Sequence, residues 1–218
     1  MKNRTVMLTL SAIFGVLFLA TLVLVRTVDV AAIGPAGTQI GLSHLNAAVH
    51  QLTGENSLCY LISKLLGYLS LALAGLMALL GFVQLVQERS LWKVERPFLV
   101  LGGLYAVTGA CYALFEVVVI NYRPVLEAGQ TFPEASFPSS HTLLAVVILG
   151  SLSLLLERYI YEEVYCTALR ALCRVVLVVL VVTRLLSGVH WLTDILAGVF
   201  LGCCLVSLFD FVLETVGE

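Results

Sequence analysis

The chain has 218 residues, of which 60% are hydrophobic and only 12% charged, with a formal net charge of −2. At a mean hydropathy of +1.03 it lacks the polar surface of a soluble domain, so lipid must be the solvent for much of it. The small net charge excludes little, because in such a chain the placement of charge matters more than its sum, and nothing calls for a nucleic-acid partner.

Roughly 20 apolar residues cross a bilayer as one helix. The expected spans, in chain order, are Thr5–Val25, about Leu65–Val86, Phe98–Ile120, Thr142–Leu156, Val175–Val182 with its flanks, and Trp191–Leu213. The fold class is therefore all-α, a polytopic membrane protein with six transmembrane helices. The first run is longer than the apolar stretch of a signal peptide and no small-x-small cleavage site follows it, so it reads as a retained span. No repeat, low-complexity tract or long polar linker divides residues 1–218, which read as one domain.

Between the first two spans lies Thr27–Ser63. Ser43 is placed as a helix N-cap, and Leu42, Leu45, Val49 and Leu52 recur at helical spacing before Gly54. That pattern predicts a short helix in the membrane interface. His44 and His50 lack the i, i+4 spacing of a metal pair and are assigned to its solvated face. Gln87–Pro97 and Glu157–Arg174 mix both charge signs and read as solvated connectors. The cysteines (Cys59, Cys111, Cys166, Cys173, Cys203 and Cys204) form no CxxC pair and read as small hydrophobes in helix packing, with no disulfide framework or thiol-bound metal.

The basic residues set the expected orientation. Six spans put Lys2, Arg4, Arg89, Lys93, Arg96, Arg158, Arg170 and Arg174 on one side, and Arg26, Lys64, Arg123 and Arg184 on the other. The richer side is cytoplasmic and holds both termini.

Three segments on the outer side carry the polar chemistry. Asn121-Tyr122-Arg123-Pro124 ends the third span, Phe137-Pro138-Ser139-Ser140-His141 begins the fourth, and Thr183-Arg184, His190 and Asp194 join the fifth to the sixth. His190 and Asp194 are four apart, so on a helix they share a face. The carboxylate then accepts a hydrogen bond from Nδ1–H, fixes the tautomer and leaves Nε2 as an exposed nucleophile. Arg184 suits a bidentate phosphoryl clamp, and Arg123 adds a second fixed positive charge. Ser139 and Ser140 begin a helix whose free N–H groups make an anion site. His141, in the first turn, is placed to donate a proton to a leaving oxygen.

At these residues the chain resembles the type 2 phosphatidic acid phosphatase (PAP2) family, whose motifs read Lys-x6-Arg-Pro, Pro-Ser-Gly-His and Ser-Arg-x5-His-x3-Asp. Here they stand as Glu116-x6-Arg123-Pro124, Pro138-Ser139-Ser140-His141 and Thr183-Arg184-x5-His190-x3-Asp194, a motif region of 116–194. The resemblance implies a PAP2-like six-helix core and a phosphatase that needs no metal or other cofactor. It implies that His190 attacks phosphorus to form a phosphohistidine, supported by Asp194. His141 protonates the leaving group and then activates water. Arg123, Arg184, Ser139 and Ser140 hold the phosphate oxygens.

Three positions depart from the pattern. Ser140 replaces a glycine, Thr183 keeps a hydroxyl in place of serine, and Glu116 stands where a lysine is expected. A carboxylate there repels phosphate, and Lys64 is the other outer-side basic residue near a helix end that offers compensation. The leading expectation is a lipid phosphatase in a bacterial plasma membrane, acting at the outer face on undecaprenyl diphosphate, phosphatidate or phosphatidylglycerol phosphate. A non-catalytic lipid-binding or lipid-transport protein of the same fold is the alternative, with an unrelated transporter third.

Overall fold

The computed structural model describes residues 4–126 and 129–216; Lys2, counted above with the cytoplasmic charges, lies outside them. The chain forms α1 (Arg4–Thr27), α2 (Ser43–Thr53), α3 (Ser57–Glu88), α4 (Arg96–Val117), α5 (Ser140–Tyr159), α6 (Glu163–Leu186) and α7 (Leu192–Val216). All except α2 are long and apolar enough to cross a bilayer, six in all among the described residues. The protein is an all-α, multi-pass membrane protein.

Two of the six are central. Half of the spanning window of α5 and 39% of that of α7 are buried, against 11–17% for α1, α3, α4 and α6. The outer helices turn most of their leucine and valine toward lipid. Inside, Leu143, Val147 and Ile148 of α5 meet Ala197, Leu201 and Leu205 of α7. Glycines set that approach: a Cβ on Gly198 would lie 2.9 Å from the Ser139 carbonyl oxygen, and one on Gly202 would lie 2.7 Å from Val146. Small residues let membrane helices close in where no hydrophobic force does so. α1 packs along α7, and the Ser11 hydroxyl donates to the Cys204 carbonyl at 3.0 Å. The first apolar run is thus part of the bundle.

Several element boundaries differ from expectation. Glu157–Arg174 is not a solvated connector: α5 runs through Tyr159 and α6 begins at Glu163. The charges there ride on helix ends, where Arg158 reaches Glu214 at 3.1 Å and Arg170 reaches Glu157 at 3.2 Å. Gln87–Pro97 is likewise shorter, with helix to Glu88, a 3-10 turn at Leu91–Lys93, and helix again from Arg96. Ser43 is not the N-cap of α2; it is the first helical residue, after Leu42 in the left-handed region. The cap comes from Asp29, which accepts from the His44 N–H at 2.8 Å and from the Ser43 hydroxyl at 2.9 Å. A cap 15 residues away cannot be read from a local pattern.

Alternation of direction brings one end of every helix to the same place. The C-terminal ends of α1, α4 and α6 and the N-terminal ends of α3, α5 and α7 meet there, with α2 across them. All three polar segments lie at that end.

Candidate active site

The loop from Ser187 to Trp191 carries His190. It leaves α6 through Gly188, whose φ of +71° belongs to the left-handed region that glycine enters without strain. A side chain there would also meet the Gly54 carbonyl oxygen at 2.5 Å. His190 precedes α7, so it does not share a helical face with Asp194. The turn brings them near instead, with His190 Nδ1 3.7 Å from Asp194 Oδ2. Asp194 is wholly buried and accepts from the Trp191 N–H at 3.1 Å and from Asn121 Nδ2 at 3.1 Å. Asn121, buried at the end of the third apolar run, links the first polar segment to the third. Its role was not read from the sequence, although an amide closing a membrane span is a signal of one.

His190 Nε2 is not an exposed atom either, for it lies 3.0 Å from Arg184 Nη2 within a buried pair. A guanidinium only donates, so Nε2 holds its lone pair toward the arginine and Nδ1 carries the proton. The tautomer is thus set by Arg184 at Nε2, while the Asp194 carboxylate lies 3.7 Å from Nδ1, near enough for charge attraction but beyond a hydrogen bond. Burial, then the positive charges of Arg184 and Arg123 and the proximity of His141, hold the imidazole well below the usual histidine range. His190 is therefore neutral, with a lone pair available.

The two serines of the second segment divide their tasks. Ser139 is fully buried; its N–H donates to the Asp194 carbonyl at 2.9 Å and its hydroxyl accepts from Thr142 at 3.0 Å. Ser139 therefore joins α5 to α7, and its N–H is not turned toward an anion. Ser140 lines a cavity of about 330 Å³ together with His141, Arg123, Arg184, Lys64 and Glu134. The far wall is Tyr60, Tyr68, Leu71, Tyr112 and Leu144, from α3, α4 and α5. Gly67 of α3 allows the His141 ring to fit, since a Cβ there would lie 2.9 Å from the ring. A narrow cleft adjoins the cavity through Arg123 and Ser140, and His190 and Glu116 reach into it.

Arg123 sits on a short antiparallel bridge in which its N–H donates to the Glu134 carbonyl at 2.9 Å. Its guanidinium pairs with the Glu134 carboxylate at 3.1 Å. Glu116 lies exposed on the last turn of α4, at the end of the span. Thr183 does not offer its hydroxyl to the cavity; it donates back to the Val179 carbonyl of its own helix at 2.6 Å. Lys64 stands beside Tyr60, with Nζ 5.8 Å from the ring centroid, and Arg184 Cζ lies 5.8 Å from the same centroid. Among the described residues, no three His, Cys, Asp or Glu side chains converge as metal ligands would. The site thus gathers His141 and three cations in the wall of a largely apolar cavity between helices, with His190 in the adjoining cleft and the buried Asp194 carboxylate behind it.

The PAP2 superfamily model matches residues 66–213, more than half of the chain and all three polar segments. The chain belongs to the PAP2 superfamily. Among solved structures it is similar to the first transmembrane PAP2-type phosphatidylglycerolphosphate phosphatase from Bacillus subtilis, at 17% identity and a TM-score of 0.66, over 95% of this chain and 97% of that one. It is also similar to Aquifex aeolicus LpxE, at 19% identity and a TM-score of 0.46, over 75% of this chain and 94% of that one. No curated protein matches it at a significant level. At such identities the first likeness concerns the fold, and it agrees with the six-helix PAP2 core expected from the motifs.

Proposed function

We propose that this PAP2 protein is a lipid phosphatase that hydrolyses a membrane lipid phosphate or diphosphate through a phosphohistidine on His190. The contact between His190 Nε2 and Arg184 carries the reading. An unprotonated nitrogen against a buried guanidinium, the group suited to hold a phosphoryl oxygen, supports covalent transfer with electrostatic stabilisation.

In the first step Nε2 attacks phosphorus and the bond from phosphorus to the leaving oxygen breaks (the lipid alcohol's in a monophosphate, the bridging oxygen of the lipid monophosphate in a diphosphate). His141, entering the step as the imidazolium, gives its proton to that oxygen. The Asp194 carboxylate stabilises the positive charge that grows on the ring. In the second step water attacks the phosphohistidine, His141 takes its proton, and phosphate leaves with His190 restored. Arg123, Arg184 and Ser140 hold the equatorial oxygens, and Ser139 fixes the helix start from which Ser140 and His141 project. Lys64 supplies the third positive contact in place of the motif lysine, offsetting Glu116. The apolar wall from α3 and α4 suits a substrate whose tail stays in the bilayer, such as undecaprenyl diphosphate, phosphatidate or phosphatidylglycerol phosphate. The protein sits in a bacterial plasma membrane, with both termini cytoplasmic and the site outward.

Purified protein in detergent should release phosphate from a panel of these lipids with EDTA present, and His190→Ala should abolish the release. Release that survives His190→Ala removes histidine as the nucleophile, and silence on the whole panel favours a lipid-binding role. Lys64→Ala should weaken release with unchanged thermal melting, and unaltered release would end its assignment.

A further inference from the structure

The matched family region begins at residue 66, so α2 lies before it. Yet α2 grips the loop that carries His190. His50 Nε2 is 3.0 Å from the Gly188 carbonyl oxygen, which only accepts, so this nitrogen carries a proton and donates. The His50 ring rests against Trp191, with centroids 5.5 Å apart. His50 is therefore not on a solvated face, unlike His44, whose side chain is 93% exposed. One turn earlier, Asn46 is wholly buried. It donates to the Gly41 carbonyl at 2.9 Å and to the Thr193 hydroxyl at 3.0 Å, and its Oδ1 accepts from the Thr193 N–H at 3.3 Å. That last bond satisfies one of the free N–H groups in the first turn of α7, the turn that contains Asp194.

The two residues hold the loop at either end of the reacting histidine. Gly188 is two positions before His190 and Thr193 three after it. α2 is itself anchored to the end of α1: Asp29 caps it, and the Leu42 N–H donates to the Val28 carbonyl at 2.9 Å. Leu45 and Leu52, on another face of α2, are exposed and make none of these contacts.

We propose that α2 is a strut that sets the position of the His190 loop, with Asn46 and His50 as positioning residues for the transfer step. The proposal rests on His190 being the nucleophile. The reason is geometric. In-line attack tolerates little displacement, and a shift of about 1 Å at the nucleophile costs on the order of a hundredfold in rate. Its other ties run to α6, α7 and the Tyr122 segment: His190 to Arg184 at 3.0 Å, the Trp191 N–H to Asp194 at 3.1 Å, the Trp191 indole N–H to the Tyr122 carbonyl at 2.8 Å and the Ser187 hydroxyl to the Arg184 carbonyl at 2.6 Å. To these α2 adds a hold at Gly188 and at Thr193.

The test uses the full chain in detergent, with a diacyl phosphatidate and a polyprenyl diphosphate as probes and phosphate release as the readout. His50→Ala and Asn46→Ala should each lower kcat on the order of tenfold or more with KM little changed, since substrate contacts remain and only transfer geometry is lost. His50→Gln, whose amide N–H can reach the Gly188 carbonyl, should recover most of the rate. Leu52→Ala, on the other face of the same helix, should leave it unaltered. Wild-type kcat in both alanine variants overturns the strut, as does a loss that His50→Gln fails to rescue or one confined to KM. If Asn46→Ala does not fold, the His50 pair decides. An active His190→Ala, or a wild-type protein silent on both probes, instead defeats the phosphatase reading and the strut with it.

Discussion

His190 meets Arg184 across 3.0 Å, so the proposed nucleophile and phosphate clamp touch before any substrate arrives. Arg184→Lys would keep the charge but lose the planar fork that can face a phosphoryl group and Nε2 together. We expect it to lower kcat/KM by at least tenfold, about 1.4 kcal/mol of transition-state binding, in steady-state assays; near-wild-type kinetics would argue against the fork. The pH dependence follows from the same contact. His190 is held well below the usual histidine range, first by burial and then by Arg184, Arg123 and His141. A lowered pKa means the neutral, nucleophilic form persists as pH falls through about 6.5, the ordinary histidine value. The kcat/KM profile, which reports groups of the free enzyme, should therefore show no acid limb from His190 near that value. Arg184→Gln, which removes the charge that acts most strongly on the ring after burial, should move any acid limb that His190 sets to higher pH. At this scale the sequence named the candidate residues. It misjudged their contacts, because the helical pairing of His190 with Asp194 presumes a helix that starts two residues later than His190.

At the scale of elements, the α5–α7 contact decides whether the three segments meet. The Ser139 N–H reaches the Asp194 carbonyl at 2.9 Å only because Gly198 and Gly202 let the two helices approach. Gly198→Ala would press a methyl to 2.9 Å from the Ser139 carbonyl oxygen, which is backbone and cannot swing aside. Overpacking of this kind costs about 1–3 kcal/mol, and a lower thermal midpoint in detergent, with activity falling in step, is the expected result. Gly67→Ala acts differently. Its methyl would meet the His141 ring at 2.9 Å, a side chain that can move. That variant should lose activity with little change in melting; retained activity would show that His141 adapts. The spans themselves were legible, since long apolar runs depend only on composition. The start of α6 and the cap of α2 were not. Charged residues can ride on a helix end as easily as on a loop, and the Asp29 cap comes from outside the local window.

For the whole molecule, six spans place the site at one end and the short link between α3 and α4 at the other. Leu52 is 87% exposed at the site end and Trp92 is 94% exposed at the opposite end. In intact cells a membrane-impermeant thiol reagent should label Leu52→Cys and spare Trp92→Cys until the membrane is opened. The reverse pattern would turn the site inward and overturn the charge-based orientation. The sequence by itself determined the solvent of this chain, its six spans and the family motifs with their order, because apolar length and residue spacing are local properties. Only the tertiary structure decided which groups face one another. Arg184 leans on His190, Asn121 and Trp191 hold Asp194, Lys64 enters the cavity that Glu116 does not line, and α2 braces the loop. Each of these pairs is brought together by helix packing between residues far apart in the chain or by a turn whose path the local pattern does not specify.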